Sequence, residues 1–140
     1  MQGIKITSDP KDLDIDLVHS FVSQSYWAKN IPLSTLKKSI ENSLVFGAYN
    51  QSGKQVGFAS VVTDKATFAY LGDVFVVESH RGKGVSKLIM EAVSSHRDLQ
   101  GLRRFMLATS DAHGLYSQFG FKPVDNPEIL MQIWEPGIYE

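Results

Sequence analysis

One segment constrains this chain more than any other. "DVFVV" (residues 73–77) reads as a strand, and Val85, Leu88, Ile89, Ala92 and Val93 then recur at the i, i+3, i+4, i+7, i+8 spacing of an amphipathic helix. Between them lies His80-Arg81-Gly82-Lys83-Gly84-Val85-Ser86, so the strand passes into the helix through a glycine-rich turn. The first turn of a helix leaves backbone N–H groups unpaired and carries partial positive charge. Glycines let a phosphate approach that main chain closely. The turn is therefore a candidate pyrophosphate cradle, with Arg81, Lys83 and Lys87 as surrounding cations. Two common nucleotide motifs fail here. Both the P-loop and the GxGxxG fingerprint, counted from Gly82, need a glycine where Lys87 stands. Taken alone, the stretch also reads as an ordinary strand–helix turn with solvated basic residues.

The rest of the chain supplies the frame. "GIKIT" (residues 3–7) reads as a short strand, with Asp9 as an N-cap and Pro10 opening a first helix that runs to about Ser23 on Leu13, Leu17, Val18, Phe21 and Val22. "SYWAKNIP" reads as a loop. Leu33, Leu36 and Ile40 mark a second helix ending near Asn42. "LVFGAYN", "QSGK" and "QVGFASVVTD" form a hairpin. Residues 67–77 are a further strand, with Gly72 as a bulge site. After the glycine-started helix, Gly101 is a stop signal. Residues 103–109 read as a strand buried at Phe105 and Leu107, and residues 111–119 as a short helix ended by Gly120. "GFKPV" and "EILMQIW" read as two closing strands. The expected class is α+β, one domain over residues 1–140. Its central sheet is mixed and mostly antiparallel, of about six or seven strands flanked by about four helices. The single parallel pair sits at the crossover from Val74 to Thr109.

Composition removes several classes. Lys+Arg 14 against Asp+Glu 15 leaves a net charge of −1, without the basic surplus of a nucleic-acid binder. There is no cysteine, so no disulfide, thiol nucleophile or cysteine zinc site is expected, and the histidines lack paired metal-ligand spacing. The N-terminus does not read as a signal peptide, and no apolar run approaches about 18 residues. The expectation is a soluble cytoplasmic protein with no metal, nucleic acid or membrane partner.

Arg81-Gly82-Lys83-Gly84-Val85-Ser86 nearly fits the pattern (Q/R)-x-x-G-x-(G/A). It resembles the coenzyme A loop of the GNAT-type N-acetyltransferases. "DAHGLYSQFGFKPV" (residues 111–124) is similar to the same family's later motif, in Ala112, Leu115-Tyr116 and Gly120-Phe121. The separation of one helix and one strand between the two also matches. Three positions depart from the pattern: Ser86 for the final Gly or Ala, Glu78 for Pro, and Asp111 for Asn.

The resemblance implies the acyl-CoA N-acyltransferase fold, with acetyl-CoA as co-substrate and a primary amine of a small molecule or peptide as acceptor. It assigns the acetyl and pantetheine groups to the backbone of Val74, Phe75 and Val76, with a backbone N–H there polarising the thioester carbonyl. The pyrophosphate goes to Arg81, Gly82, Lys83, Gly84, Val85 and Ser86, with Asp111 on the same coenzyme A side. Tyr116 would stand at the leaving sulfur. A thiol pKa near 8.5 and a tyrosine pKa near 10 make full proton transfer uphill by about 2 kcal/mol. A helix dipole could narrow that gap. Asp73 interrupts an apolar strand beside the loop and is the first general-base candidate, with Glu78, His80 and His113 as alternatives. Tyr26, Trp27, Tyr70 and His113 are expected at the acceptor, with Phe46 and Phe68 as further lining. His113 and Tyr116, three apart, should share a helix face. Two other readings stay open. One is a non-catalytic acyl-CoA sensor or regulatory module. The other is a homodimeric scaffold paired through "ILMQIW".

Overall fold

The computed structural model describes residues 3–140. Its elements are β1 (Lys5–Thr7), α1 (Ile15–Val22), α2 (Leu33–Glu41), β2 (Leu44–Tyr49), β3 (Gln55–Thr63), β4 (Phe68–Val76), α3 (Val85–Ser95), β5 (Arg104–Leu107) and α4 (His113–Ser117). The strands form one five-stranded sheet in chain order. Every neighbouring pair is antiparallel except β4–β5, which is parallel. Class, helix count and the place of the parallel pair agree with the sequence reading.

The strand count does not. "GFKPV" and "EILMQIW" form no strand: residues 121–124 and 130–135 belong to no helix or strand. A strand exists only where a neighbour takes its backbone groups. β5 ends the sheet, and nothing among the described residues pairs with its outer edge. For the same reason Phe105 and Leu107, expected to be buried, are only half-buried.

The start of α1 also shifts. Asp9 does accept from the Lys11 N–H at 2.9 Å, but it caps only a single 3-10 turn, Pro10–Asp12. Leu13 then turns extended, and Asp14 is the true N-cap, accepting from the Leu17 N–H at 3.1 Å. Between β3 and β4, Asp64 accepts from the Thr67 hydroxyl and from the N–H groups of Ala66, Thr67 and Phe68. The Thr67 hydroxyl first, then those backbone donors, hold its carboxyl well below the usual range.

Two apolar layers cover the sheet. Val85, Ile89, Met90 and Val93 of α3 pack with Phe46, Ala48, Ala59, Val61 and Leu71 on one face. Val18 and Val22 of α1 and Leu36 and Ile40 of α2 pack with Val45, Phe58 and Phe75 on the other. An irregularity in β4 decides which residue faces which layer. Opposite Ala59 of β3, β4 carries two residues, Asp73 and Val74, between the pairs Phe58↔Phe75 and Ser60↔Gly72. That is a β-bulge. Before it, odd-numbered Ala69 and Leu71 face α3; after it, even-numbered Val76 does, and Phe75 turns to α1 and α2. One extra residue has reversed the alternation.

Candidate active site

The bulge lies one residue past the glycine expected to form it. Asp73 itself takes the left-handed conformation, φ 54. Aspartate is among the few residues that tolerate this region. The same turn re-aims its carboxyl group.

β4 and β5 pair only from Phe68↔Arg104 to Leu71↔Leu107. β4 continues to Val76, so beyond Leu71 it has no β5 neighbour. Alternate backbone groups of a strand point to opposite sides, and those of Gly72–Val76 that face away from β3 border an opening. A cavity of about 940 Å³ occupies the gap. Asp73, Val74, Phe75 and Val76 line it from β4, Leu107 to Asp111 from the end of β5 and the following loop, and Ser86, Leu115 and Tyr116 from the helices.

Asp73 is the carboxylate on the β4 wall. The Trp27 indole N–H donates to its Oδ1 at 2.8 Å, and Ser60 Oγ lies 3.4 Å from its Oδ2. The Ser60 hydroxyl is also 3.3 Å from the Gly72 carbonyl, so its one proton serves one acceptor at a time. Burial pushes the Asp73 carboxyl up from the usual range, and the Trp27 and Ser60 hydrogen bonds only partly offset this. A carboxylate held this way is a stronger proton acceptor than one in water.

Trp27 arrives there because the loop after α1 is tied down. The Ser25 hydroxyl, buried, donates to the Val22 carbonyl at 2.6 Å and accepts from the Ala28 N–H at 3.2 Å. His19 Nε2 donates to the Ile31 carbonyl at 2.8 Å. Tyr26 and Trp27 stand edge to face at 5.0 Å, and the Tyr26 hydroxyl meets Ser110 Oγ at 3.3 Å. The pair roofs the cavity from β4 across to the loop after β5.

Tyr116 is buried at the other wall. Burial pushes its phenol above the usual range, and the charges of Asp111 and Tyr26 add to this. Desolvation outweighs any lowering by the five-residue α4. The hydroxyl therefore stays protonated and is suited to donate a hydrogen bond rather than to give up its proton.

At the glycine turn, Gly82 and Gly84 have φ 75 and 82, and Gly84 is the N-cap of α3 with no side chain capping the helix. A Cβ on either glycine would meet nothing within 4 Å, so the left-handed backbone, not crowding, requires glycine there. The first N–H groups of α3 have no intrahelical partner. Arg81 is engaged inward: its Nε donates to the Val76 carbonyl at 2.9 Å, with the guanidinium 5.6 Å over the Phe21 ring. It fastens the loop to the end of β4, leaving its terminal nitrogens for an anion.

Tyr26, Trp27 and Tyr70 all line the cavity, as does Asp111. His113 does not: it stands exposed at the first position of α4, while Tyr116, one turn on, is buried. Phe46 is sunk in the core against His96, and Phe68 is outside the lining. Val85 is buried in the core, and Glu78 and His80 sit on a 3-10 turn away from the cavity. Ser60, Ser110 and Trp134 line the cavity without having been singled out from the sequence. Nothing local marks them, since each gains its position from a distant segment.

Comparison with known proteins agrees with this architecture. Residues 41–123 match the family model of the acetyltransferase (GNAT) domain. A solved structure from Xanthomonas campestris pv. campestris, provisionally described as a GNAT-family acetyltransferase, is 54% identical, with a TM-score of 0.96 over 99% of this chain and 98% of that one. A Gibberella zeae protein provisionally named an acetyltransferase is 30% identical, over 81% of this chain and 75% of its own. Glucosamine-6-phosphate N-acetyltransferase from Arabidopsis thaliana shares the fold at a TM-score of 0.67 and 18% identity, covering 96% of this chain and 98% of that one. The chain belongs to the GNAT family of acetyltransferases.

Proposed function

We propose that this protein transfers the acetyl group of acetyl-CoA to a primary amine of a small molecule or peptide. One observation carries the reading: the parted β4–β5 pair exposes a strand edge between a half-buried carboxylate and a buried, protonated tyrosine.

The residues present fit coenzyme A. Gly82 and Gly84 leave room for an anion at the uncapped start of α3, Ser86 can donate from its first turn, and the edge of residues 72–76 that β5 leaves open, apart from the Val76 carbonyl held by Arg81, suits an amide-bearing chain. When bound, acetyl-CoA supplies an acyl group activated as a thioester. Val74, Phe75 and Val76 act through their main chain. A backbone N–H from this edge donates to the carbonyl oxygen as charge develops on it. Asp73 accepts a proton from the acceptor's ammonium, directly or through water. An alkylamine has a pKa near 10.4, so deprotonation at pH 7 costs about 4–5 kcal/mol. A carboxylate with a raised pKa is better matched to that task. Tyr116 holds a proton at the departing sulfur. Tyr26, Trp27 and Tyr70 cover the acceptor and exclude water.

The test is thiol release from acetyl-CoA across a panel of amines, run beside thermal shifts with coenzyme A alone. Turnover on at least one amine is expected. A thermal shift without turnover on any amine would favour an acyl-CoA sensor, and absence of both would overturn the reading.

A further inference from the structure

α1 and α2 cover only part of their face of the sheet. Phe58 of β3 and Phe75 of β4 are buried beneath them. Ser60 and Val62 follow Phe58 on the same face of β3, because side chains alternate along a strand. Val62 pairs with Tyr70 of β4, and the side chains of a cross-strand pair share a face. Neither is covered: Val62 is 55% exposed and Tyr70 40%. Both line the cavity, as do Ser60 and Asp73. Tyr26 and Trp27 line it from the loop after α1. A carboxylate therefore stands beside an apolar floor with aromatic walls. Large apolar groups left open together in one concavity mark a binding surface.

The charges of the cavity are one-sided. Among the described residues that line it, only Asp73, Asp111 and Arg81 carry a charged group. Arg81 is fixed at the glycine turn by its bond to the Val76 carbonyl, and Val76 lies roughly 10 Å along β4 from Asp73. An ammonium at the Asp73 end meets the carboxylate and the rings of tyrosine and tryptophan, which attract cations. Asp73 has acceptor positions to spare for it: a carboxylate offers about four, and Trp27 takes one of them. A carboxylate or phosphate at the same place faces an acid and no free cation, and is desolvated without a partner.

We propose that the acceptor is a hydrophobic monoamine. Its one ammonium seats at Asp73, its apolar body lies on Val62 and Tyr70 against Tyr26 and Trp27, and it bears no anionic group. The inference deepens the acetyl-transfer reading and rests on it.

The test compares acceptors that differ by one feature. Initial rates of thiol release from acetyl-CoA are measured with 2-phenylethylamine, ethylamine, phenylalanine, phenylalaninamide and putrescine. 2-Phenylethylamine should exceed ethylamine in kcat/KM by about 10- to 100-fold, the worth of burying a ring. It should exceed phenylalanine by about 10- to 100-fold as well, since like charges then oppose. Phenylalaninamide, similar in shape but without the carboxylate, should recover most of that loss. Val62→Arg puts a cation on the floor and should cut the preference for 2-phenylethylamine over phenylalanine at least about tenfold. Tyr70→Ala should raise KM for 2-phenylethylamine but not for ethylamine. Turnover that favours phenylalanine, putrescine or ethylamine would overturn the inference and leave acetyl transfer standing. Equal rejection of phenylalanine and its amide would also overturn it, because size and not charge would then be the filter. If no amine is turned over, calorimetric titration of 2-phenylethylamine into the protein with coenzyme A separates the two readings. Binding that Asp73→Asn weakens would support the recognition and sink acetyl transfer; no binding would sink both.

Discussion

Asp73→Asn should make the protein more stable and less active at the same time. Asparagine keeps the shape, tolerates φ 54 at least as well, and can still accept the Trp27 N–H. What it removes is a charge that burial disfavours. The sign follows from linkage. A carboxyl whose folded pKa is raised costs nothing below its unfolded pKa, near pH 4, and costs stability as pH rises through the raised value. Each tenfold weakening of the acid is worth about 1.4 kcal/mol, which for a chain of this length is about 5 °C in Tm. The variant should therefore melt above the parent at pH 7, and the gap should close toward pH 4. Loss of a general base costs about 10²–10⁴ in kcat, and the acidic limb of the pH–rate profile should vanish. Calorimetry from pH 4 to 8 and initial rates over the same range measure both. A variant that melts lower at pH 7, or a gap independent of pH, would refute the desolvated carboxylate. An unchanged pH–rate profile would remove Asp73 from proton transfer.

Tyr116→Phe deletes a hydrogen bond to a developing thiolate, worth about 1.5–3 kcal/mol; kcat should fall roughly 10- to 150-fold with little change in KM for acetyl-CoA. Gly84→Val forces a β-branched residue to φ 82; it should lower Tm and abolish the thermal shift with coenzyme A, whereas Ser86→Gly should keep coenzyme A affinity within a few fold. The Tyr49 hydroxyl is buried and meets no partner in hydrogen-bond geometry among the described residues; the neighbouring Thr7 hydroxyl only weakly offsets its burial and donates to Asp12 at 3.1 Å. Tyr49→Phe relieves that cost and should raise stability by about 1 kcal/mol in a denaturant titration.

The glycine-started helix and its apolar stripe were written in the chain, because φ and periodicity are local properties. The same holds for the β2–β3 hairpin, for α2 and for the parallel crossover. Together with the later Leu115-Tyr116 and Gly120-Phe121 motif they identified the family. Asp73 stood out locally too, as a charge in an apolar strand.

Only the tertiary structure decided what these residues meet. The bulge turned Asp73 toward the cavity and reversed the facing of Val76 and Phe75, a shift of one residue that no alternation pattern records. The Trp27–Asp73 bond joins residues 46 apart, and the Tyr26–Ser110 contact residues 84 apart. Such pairs have no local signal because loop closure, not sequence neighbours, brings them together. Spacing also put His113 beside Tyr116, but only packing decides exposure: His113 is exposed and outside the cavity lining, while Tyr116 is buried. The C-terminal segment shows the limit most plainly. Its composition reads as a strand, but whether it pairs depends on an edge that nothing among the described residues covers. Backbone propensity is a property of the residues; a partner for the backbone is a property of the assembled sheet.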